Sequence, residues 1–210
     1  MAWEDLIKVD YPDLLIYWNV VRDVKVTKKE CKVIKEVESW IRENRTIEEL
    51  VNDPIVRSLR DYLWRLGIDP TKERPSSEAL VRRVLNNKPL PRINTVVDAG
   101  NAAAAKTLIP ISVFDMDKIA FPARLRAAKK GEKMIGIGGK VIEIVEGFPI
   151  LEDSDGKIFS ATLYRDGDET KVTFLTKNVL VVGYAPSDIL LSKVKHAVRL
   201  TIEFINECCK

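Results

Sequence analysis

Between positions 92 and 101 the chain places Arg92, Asn94, Asp98 and Asn101: a cation, a carboxylate and two amides in ten residues. The surrounding small residues read as a helix, so Asp98 and Asn101, three apart, share a face, while Arg92 and Asn94 approach from the entering turn. Backbone N–H groups at a helix start attract anionic and carbonyl oxygens. The group therefore suits the binding of an anionic or carbonyl group. An internal hydrogen-bond network bracing the turn is the other reading, because Asn and Asp readily bond nearby backbone. Downstream, the apolar run Ile109 to Phe114 contains Ser112 and leads into Asp115. Asp115, Asp117 and Lys118 have the chemistry to hold a divalent cation or a ribose, and a strand-end turn explains them equally well.

Other candidates are weaker. The run Gly136-Ile-Gly-Gly-Lys140 lacks both the early Gly and the following Ser or Thr of a phosphate loop and reads as a hairpin turn. His196 is the single histidine and lies off the apolar stripe of the last helix, so it reads as a solvated side chain. Cys31, Cys208 and Cys209 offer no metal-ligand spacing, and no metal or other cofactor is expected. The vicinal pair reads as a frayed helix end, and reduced thiols imply a cytoplasmic setting.

The net charge of +3 hides an uneven distribution. Residues 118–140 carry seven bases against Glu132 alone, and residues 143–169 carry eight acids against two bases. Arg82 and Arg83 in the preceding helix, with Arg124, Arg126, Lys129 and Lys130, would make a basic face suited to an RNA backbone. Mutual neutralisation across neighbouring strands is the alternative.

At 210 residues, 46% hydrophobic and 31% charged, the chain can bury a sizeable core. No apolar run approaches the roughly 18 residues of a membrane helix, and the N-terminus lacks the pattern of a secretory signal. Leu14 to Val26 reads as a strand. Thr27 with Glu30, and Thr46 with Glu49, each form a capping-box pattern for a helix, and Asp53-Pro54 starts another. Near Ile109 the period shifts from helical to alternating, with short runs at 111–114, 134–137, 141–145, 158–164 and 179–184. Ser187 is expected to cap a closing helix striped with Leu191, Val194, Val198, Ile202 and Ile205. The reading is an α+β fold: an N-terminal strand and helices packed on a mainly antiparallel sheet, with a C-terminal helix. A single domain over 1–210 is expected, in which residues 1–73 form an N-terminal strand and helical region, residues 74–185 the central region and residues 186–210 the closing helix.

The segments Leu90–Asn101 (LPRINTVVDAGN) and Pro110–Asp115 (PISVFD) resemble the B3/B4 domain of the phenylalanyl-tRNA synthetase beta subunit. There the pattern R-P-I-N-N-V-V-D-V-T-N, followed by P-L-H-A-F-D, helps to line a site that hydrolyses mischarged tRNA. The spacing from Asn101 to Ser112 equals the family's spacing from its Asn to its His. Arg74–Leu80, Asp115–Ile119 and Thr176–Val179 are similar to solo B3/B4 proteins. The resemblance implies tRNA or aminoacyl-tRNA as the partner, not DNA or a membrane, and implies Arg92, Asn94, Asp98, Asn101, Ser112 and Asp115 as substrate-binding residues. Three positions depart from the family: its pocket His is Ser112, its Gly-rich segment is replaced by Thr162–Gly167, and its hydroxyl-binding carboxylate falls on Val182. Two functions are thus implied: a stand-alone domain that binds tRNA and hydrolyses mischarged aminoacyl-tRNA in trans, or a non-catalytic module binding tRNA, a free amino acid or a nucleotide.

Overall fold

The computed structural model describes residues 5–209. The chain opens with two strands, β1 (Ile7–Val9) and β2 (Leu14–Val21), followed by helices α1 (Lys32–Asn44), α2 (Ile47–Asn52), α3 (Pro54–Arg65), α4 (Ser76–Leu85) and α5 (Thr95–Thr107). Seven short strands come next: β3 (Ile111–Asp115), β4 (Ala123–Ala127), β5 (Lys133–Ile135), β6 (Val141–Glu143), β7 (Pro149–Glu152), β8 (Ile158–Ala161) and β9 (Arg165–Asp166). The long strand β10 (Val179–Pro186) and the helix α6 (Leu191–Cys208) complete the α+β fold.

The helix starts follow local chemistry. Thr46 accepts from the Glu49 N–H while the Glu49 carboxylate accepts from the Thr46 N–H, satisfying two otherwise orphaned donors. Asp53 accepts from the Ile55 N–H, and Pro54 occupies the first helical position, where its missing N–H costs nothing. Asn94 caps α5 by accepting from Val96 and Val97 at 3.2 and 2.9 Å.

Two sheets and a hairpin support these helices. In the first sheet β10 runs antiparallel between β2 and β3. Every residue of β10 is buried, as an apolar strand covered on both faces requires. Helices α5 and α6 cover one face, and the fit depends on small residues. A Cβ on Gly100 would sit 3.2 Å from Val113 Cγ1, and one on Gly183 would sit 2.9 Å from Val198 Cγ2. A Cβ at Gly183 would require Val198 to shift, and one at Gly100 would require Val113 to give by a few tenths of an ångström. The second sheet has the order β1-β4-β7-β8-β9, parallel only between β1 and β4. The hairpin β5–β6 turns through Gly136–Lys140, as the sequence predicts. Phe114 on β3 meets Phe159 on β8 edge to face at 5.1 Å, locking the two sheets together.

Several expectations are corrected. Helix α1 begins at Lys32, not Thr27, because the Thr27 N–H donates to Thr95 Oγ1 at 3.1 Å and its carbonyl accepts from the Thr95 N–H at 2.9 Å. That pairing holds the segment extended, and β2 stops at Val21 rather than Val26. Helix α6 starts after Leu190, so Ser187 lies in the turn before it. Strands β4 and β7 are additions that the alternating pattern does not reveal. The cysteines expected as free thiols include a disulfide between Cys31 and Cys208, which ties the entry of α1 to the end of α6. Cys209 remains a thiol and contacts Thr95 Oγ1 at 3.3 Å. No helix among the described residues is long and apolar enough to cross a membrane.

Candidate functional site

A cleft of about 670 Å³ opens between α4, α5, the edge strand β3 and the chain around β9. Leu80, Val97, Ile111, Val113 and Val172 make its walls largely apolar. Asn101 reaches it from α5, Ser112 from β3 and Asp166 from β9.

The four polar residues at positions 92–101 do not converge on this cleft. Asn101 lines it, and its amide makes no hydrogen bond to any described residue. Asn94 is buried and spent on capping α5, its amide also donating to the Val172 carbonyl at 3.4 Å. Asp98 folds back to accept from the Ile93 N–H at 2.8 Å, and burial pushes its carboxyl above the ordinary range. Arg92 bonds Glu38 at 2.9 Å and the Leu90 carbonyl. With Lys28 and Glu30, Arg92 and Asp98 border a separate, smaller pocket of about 230 Å³. The expectation of one concave site containing all four is therefore corrected: three of them brace the turn, and the fourth faces open space. Asp115 is also buried away from the cleft, accepting from Thr176 Oγ1 at 2.7 Å and from the Asp117 N–H at 3.3 Å. Among the described residues no cluster of metal-ligating side chains exists.

Sequence reasoning missed the carboxyl at the heart of the cleft. Asp166 Oδ1 accepts from Ser112 Oγ at 3.0 Å and from Ser160 Oγ at 2.8 Å. Asp166 Oδ2 has no hydrogen-bond partner among the described residues. Burial pushes this carboxyl up to about 6, against the lowering effect of the two serine hydroxyls. Near it lies the buried Tyr184 hydroxyl, which has no hydrogen-bond partner within 3.5 Å among the described residues. Burial first, and the Asp166 charge second, raise that phenol well above its usual range, so it stays protonated. Ser112 and Val182 are cross-strand partners and share a face of the sheet. A carboxyl from β9 thus reaches Ser112, the cross-strand partner of Val182. The only sequence signal was indirect: Asp166 lies inside Thr162–Gly167, the stretch that departs from the Gly-rich segment.

The cations expected to touch RNA fall into distinct groups. Arg82 bonds the buried Glu78 at 2.6 Å, and Arg124 pairs with Asp10 at 2.9 Å. Arg126 is clamped by Glu132 and Glu152, which raise its guanidinium further above its ordinary range. Its side chain is only 12% exposed, so it has no free edge for a phosphate. Between β4 and β7 one cross-strand neutralisation of this kind is present, Arg126 with Glu152. Lys129 and Lys130 are exposed. Arg83 lines the cleft and bonds the Pro89 carbonyl rather than a carboxylate. Arg165 and Lys171 complete a basic rim, paired with Glu73 at 3.0 Å and Asp168 at 2.8 Å on the solvent side.

The family model for the B3/4 domain matches residues 58–204. The phenylalanine–tRNA ligase beta subunit of Cupriavidus pinatubonensis is 34% identical over 87 residues, covering 41% of this chain and 11% of that protein. The corresponding subunit of Xanthomonas euvesicatoria is 27% identical over 126 residues, covering 59% and 15%. The match thus spans a small share of either relative's length. An N-terminal fragment of the phenylalanyl-tRNA synthetase beta subunit from Pyrococcus horikoshii superposes with a TM-score of 0.48 at 16% identity, covering 91% of this chain and 74% of that one.

Proposed function

The chain belongs to the B3/4 domain family, and from that premise we propose that its cleft receives the aminoacylated 3′ end of a tRNA and hydrolyses the ester, acting in trans on mischarged tRNA. The observation that carries this reading is the pairing of an unspent amide, Asn101, with a half-free carboxyl, Asp166, in a cleft walled by apolar side chains. The apolar walls suit the flat faces of adenine and an amino-acid side chain. The Asn101 amide can donate to the ester carbonyl, and Arg83, Arg165 and Lys171, which also line the cleft, can meet terminal phosphates. A cytoplasmic setting, where tRNA is charged, accompanies this reading, and a Cys31–Cys208 bond would be uncommon in such a compartment.

The test combines filter binding of tRNA at two salt concentrations with release of labelled amino acid from a panel of mischarged tRNAs. Binding that weakens steeply with salt, together with release from at least one tRNA, is the expected result. Failure to bind at low salt would remove tRNA altogether. Binding without release would leave the second reading, a non-catalytic module. That reading is favoured by one observation: Ser112, where the family pattern has a His, has its hydroxyl committed to Asp166.

A further inference from the structure

We infer that Asp166 Oδ2 is the proton acceptor for the water that cleaves the ester in this cleft. The inference rests on the hydrolytic reading above and adds the residue that performs the proton transfer.

Three features of the structure support it. Ser112 from β3 and Ser160 from β8 both donate to Oδ1, fixing the carboxyl from two different sheets. The other oxygen, Oδ2, is free of partners among the described residues, and Asp166 lines the cleft. Asn101, on the α5 wall of the same cleft, holds an amide donor free of protein partners among those residues. A general base needs only hydrogen-bond reach to a water, and a water between Oδ2 and an ester held by Asn101 satisfies that requirement.

The surroundings fit a working base near neutral pH. Facing Asp166 are the Tyr184 hydroxyl from β10, Ser112 from β3 and Ser160 from β8; Arg165 and Lys171 lie on the rim, and Arg83 on α4. Burial makes this carboxyl a stronger base than a solvated one, with its titration pushed up to about 6. At pH 7 it remains mostly ionised.

The step balances without a further reactant. The water oxygen's lone pair forms a bond to the ester carbonyl carbon as one water proton moves to Asp166 Oδ2. The carbonyl π pair becomes an oxyanion that accepts from the Asn101 amide. On collapse the bond from carbon to the ribose oxygen breaks. Its electron pair stays on that oxygen, which takes the proton back from Asp166. The products are a free amino acid and a tRNA with its terminal hydroxyl restored.

The test is single-turnover release of labelled amino acid from tRNA charged with each proteinogenic amino acid, followed from about pH 5 to about pH 8. Wild type should lose rate as pH falls through about 6. Asp166→Asn, which keeps an acceptor for both serines, should slow release at pH 7 by about 100-fold or more. It should also abolish the acid limb while leaving tRNA affinity unchanged. Titration of the substrate's own amine affects wild type and variant alike, so the difference profile isolates Asp166. Ser112→Ala supplies an independent readout. It removes a bond that lowers the Asp166 carboxyl, so the limb should move to higher pH. Release by Asp166→Asn at a rate near wild type, or slower release with the acid limb retained, would overturn the inference and leave the hydrolytic reading standing. Binding without release by wild type would overturn both.

Discussion

Glu78 and Asp166 are two carboxyls that their partners make opposites. Glu78 on α4 is fully buried and gripped by two guanidiniums, Arg60 Nε at 2.8 Å and Arg82 Nε at 2.6 Å. Burial works to raise its carboxyl, yet the bonds from Arg60 and Arg82 outweigh it and hold the group below the ordinary range. Asp166 receives two neutral hydroxyls on one oxygen and no bond from a described residue on the other. There burial wins. One acid is kept charged and saturated, as a fastener between α3 and α4. The other titrates higher, at about 6, and keeps one oxygen open, as the proton transfer inferred above requires.

The largest test of this contrast is Glu78→Gln. It leaves two partly buried guanidiniums facing a neutral amide and should cost about 3 kcal/mol in denaturant unfolding at pH 7. Because the folded carboxyl titrates below its unfolded value, the stability it contributes is present above the unfolded pKa and lost as pH falls through the folded one. The deficit of the variant should therefore shrink on acidification. A deficit that persists unchanged in acid would mean that packing, not charge, is what Glu78 supplies.

Arg126 extends the comparison to the opposite sign. Replacing it with Met strands Glu132 and Glu152 and should cost about 2 kcal/mol, without changing how tRNA affinity depends on salt. Lys129→Ala with Lys130→Ala should do the reverse: stability within about 0.5 kcal/mol of wild type, and a salt slope shallower by about one for each phosphate left unneutralised. A shallower slope for the Arg126 variant at full stability would return that residue to the RNA surface.

The smallest expected effect is the pH dependence of stability in Asp166→Asn. The folded pKa is raised to about 6, above the unfolded value of about 4. The protonated carboxyl thus favours folding below the unfolded pKa, and this benefit is lost as pH rises through about 6. The variant should gain in melting temperature relative to wild type between about pH 5 and about pH 8. Glu78→Gln and Asp166→Asn should diverge in this respect. A common trend would collapse the distinction between them.

What was legible in the sequence follows the range of the interactions involved. The cap of α2 rests on Thr46 and Glu49, three residues apart, and could be read directly. The identical pattern at Thr27 and Glu30 fails because Thr95, 68 residues away in sequence, takes Thr27 for itself. Strand β4 was hidden by its own charges. Ala123 and Leu125 turn inward, while Arg124 and Arg126 look like a basic surface until Asp10 and Glu152 are seen opposite them. In the cleft, Asn101 and Ser112 could be placed because they belong to a contiguous pattern. Asp166 could not, since it sits on a two-residue strand and its meaning depends on hydroxyls from β3 and β8.

The Cys31–Cys208 bond makes a closed ring of most of the polypeptide, with 177 positions separating its two ends. A denatured chain so tethered samples far fewer shapes, a restriction worth about 5 kcal/mol in the chain-entropy account. The ring also disguises damage. A single protease cut at the exposed Gly138–Gly139 tip would leave one covalent molecule of unchanged mass apart from the added water, and two fragments would separate only after a reductant opens the bridge.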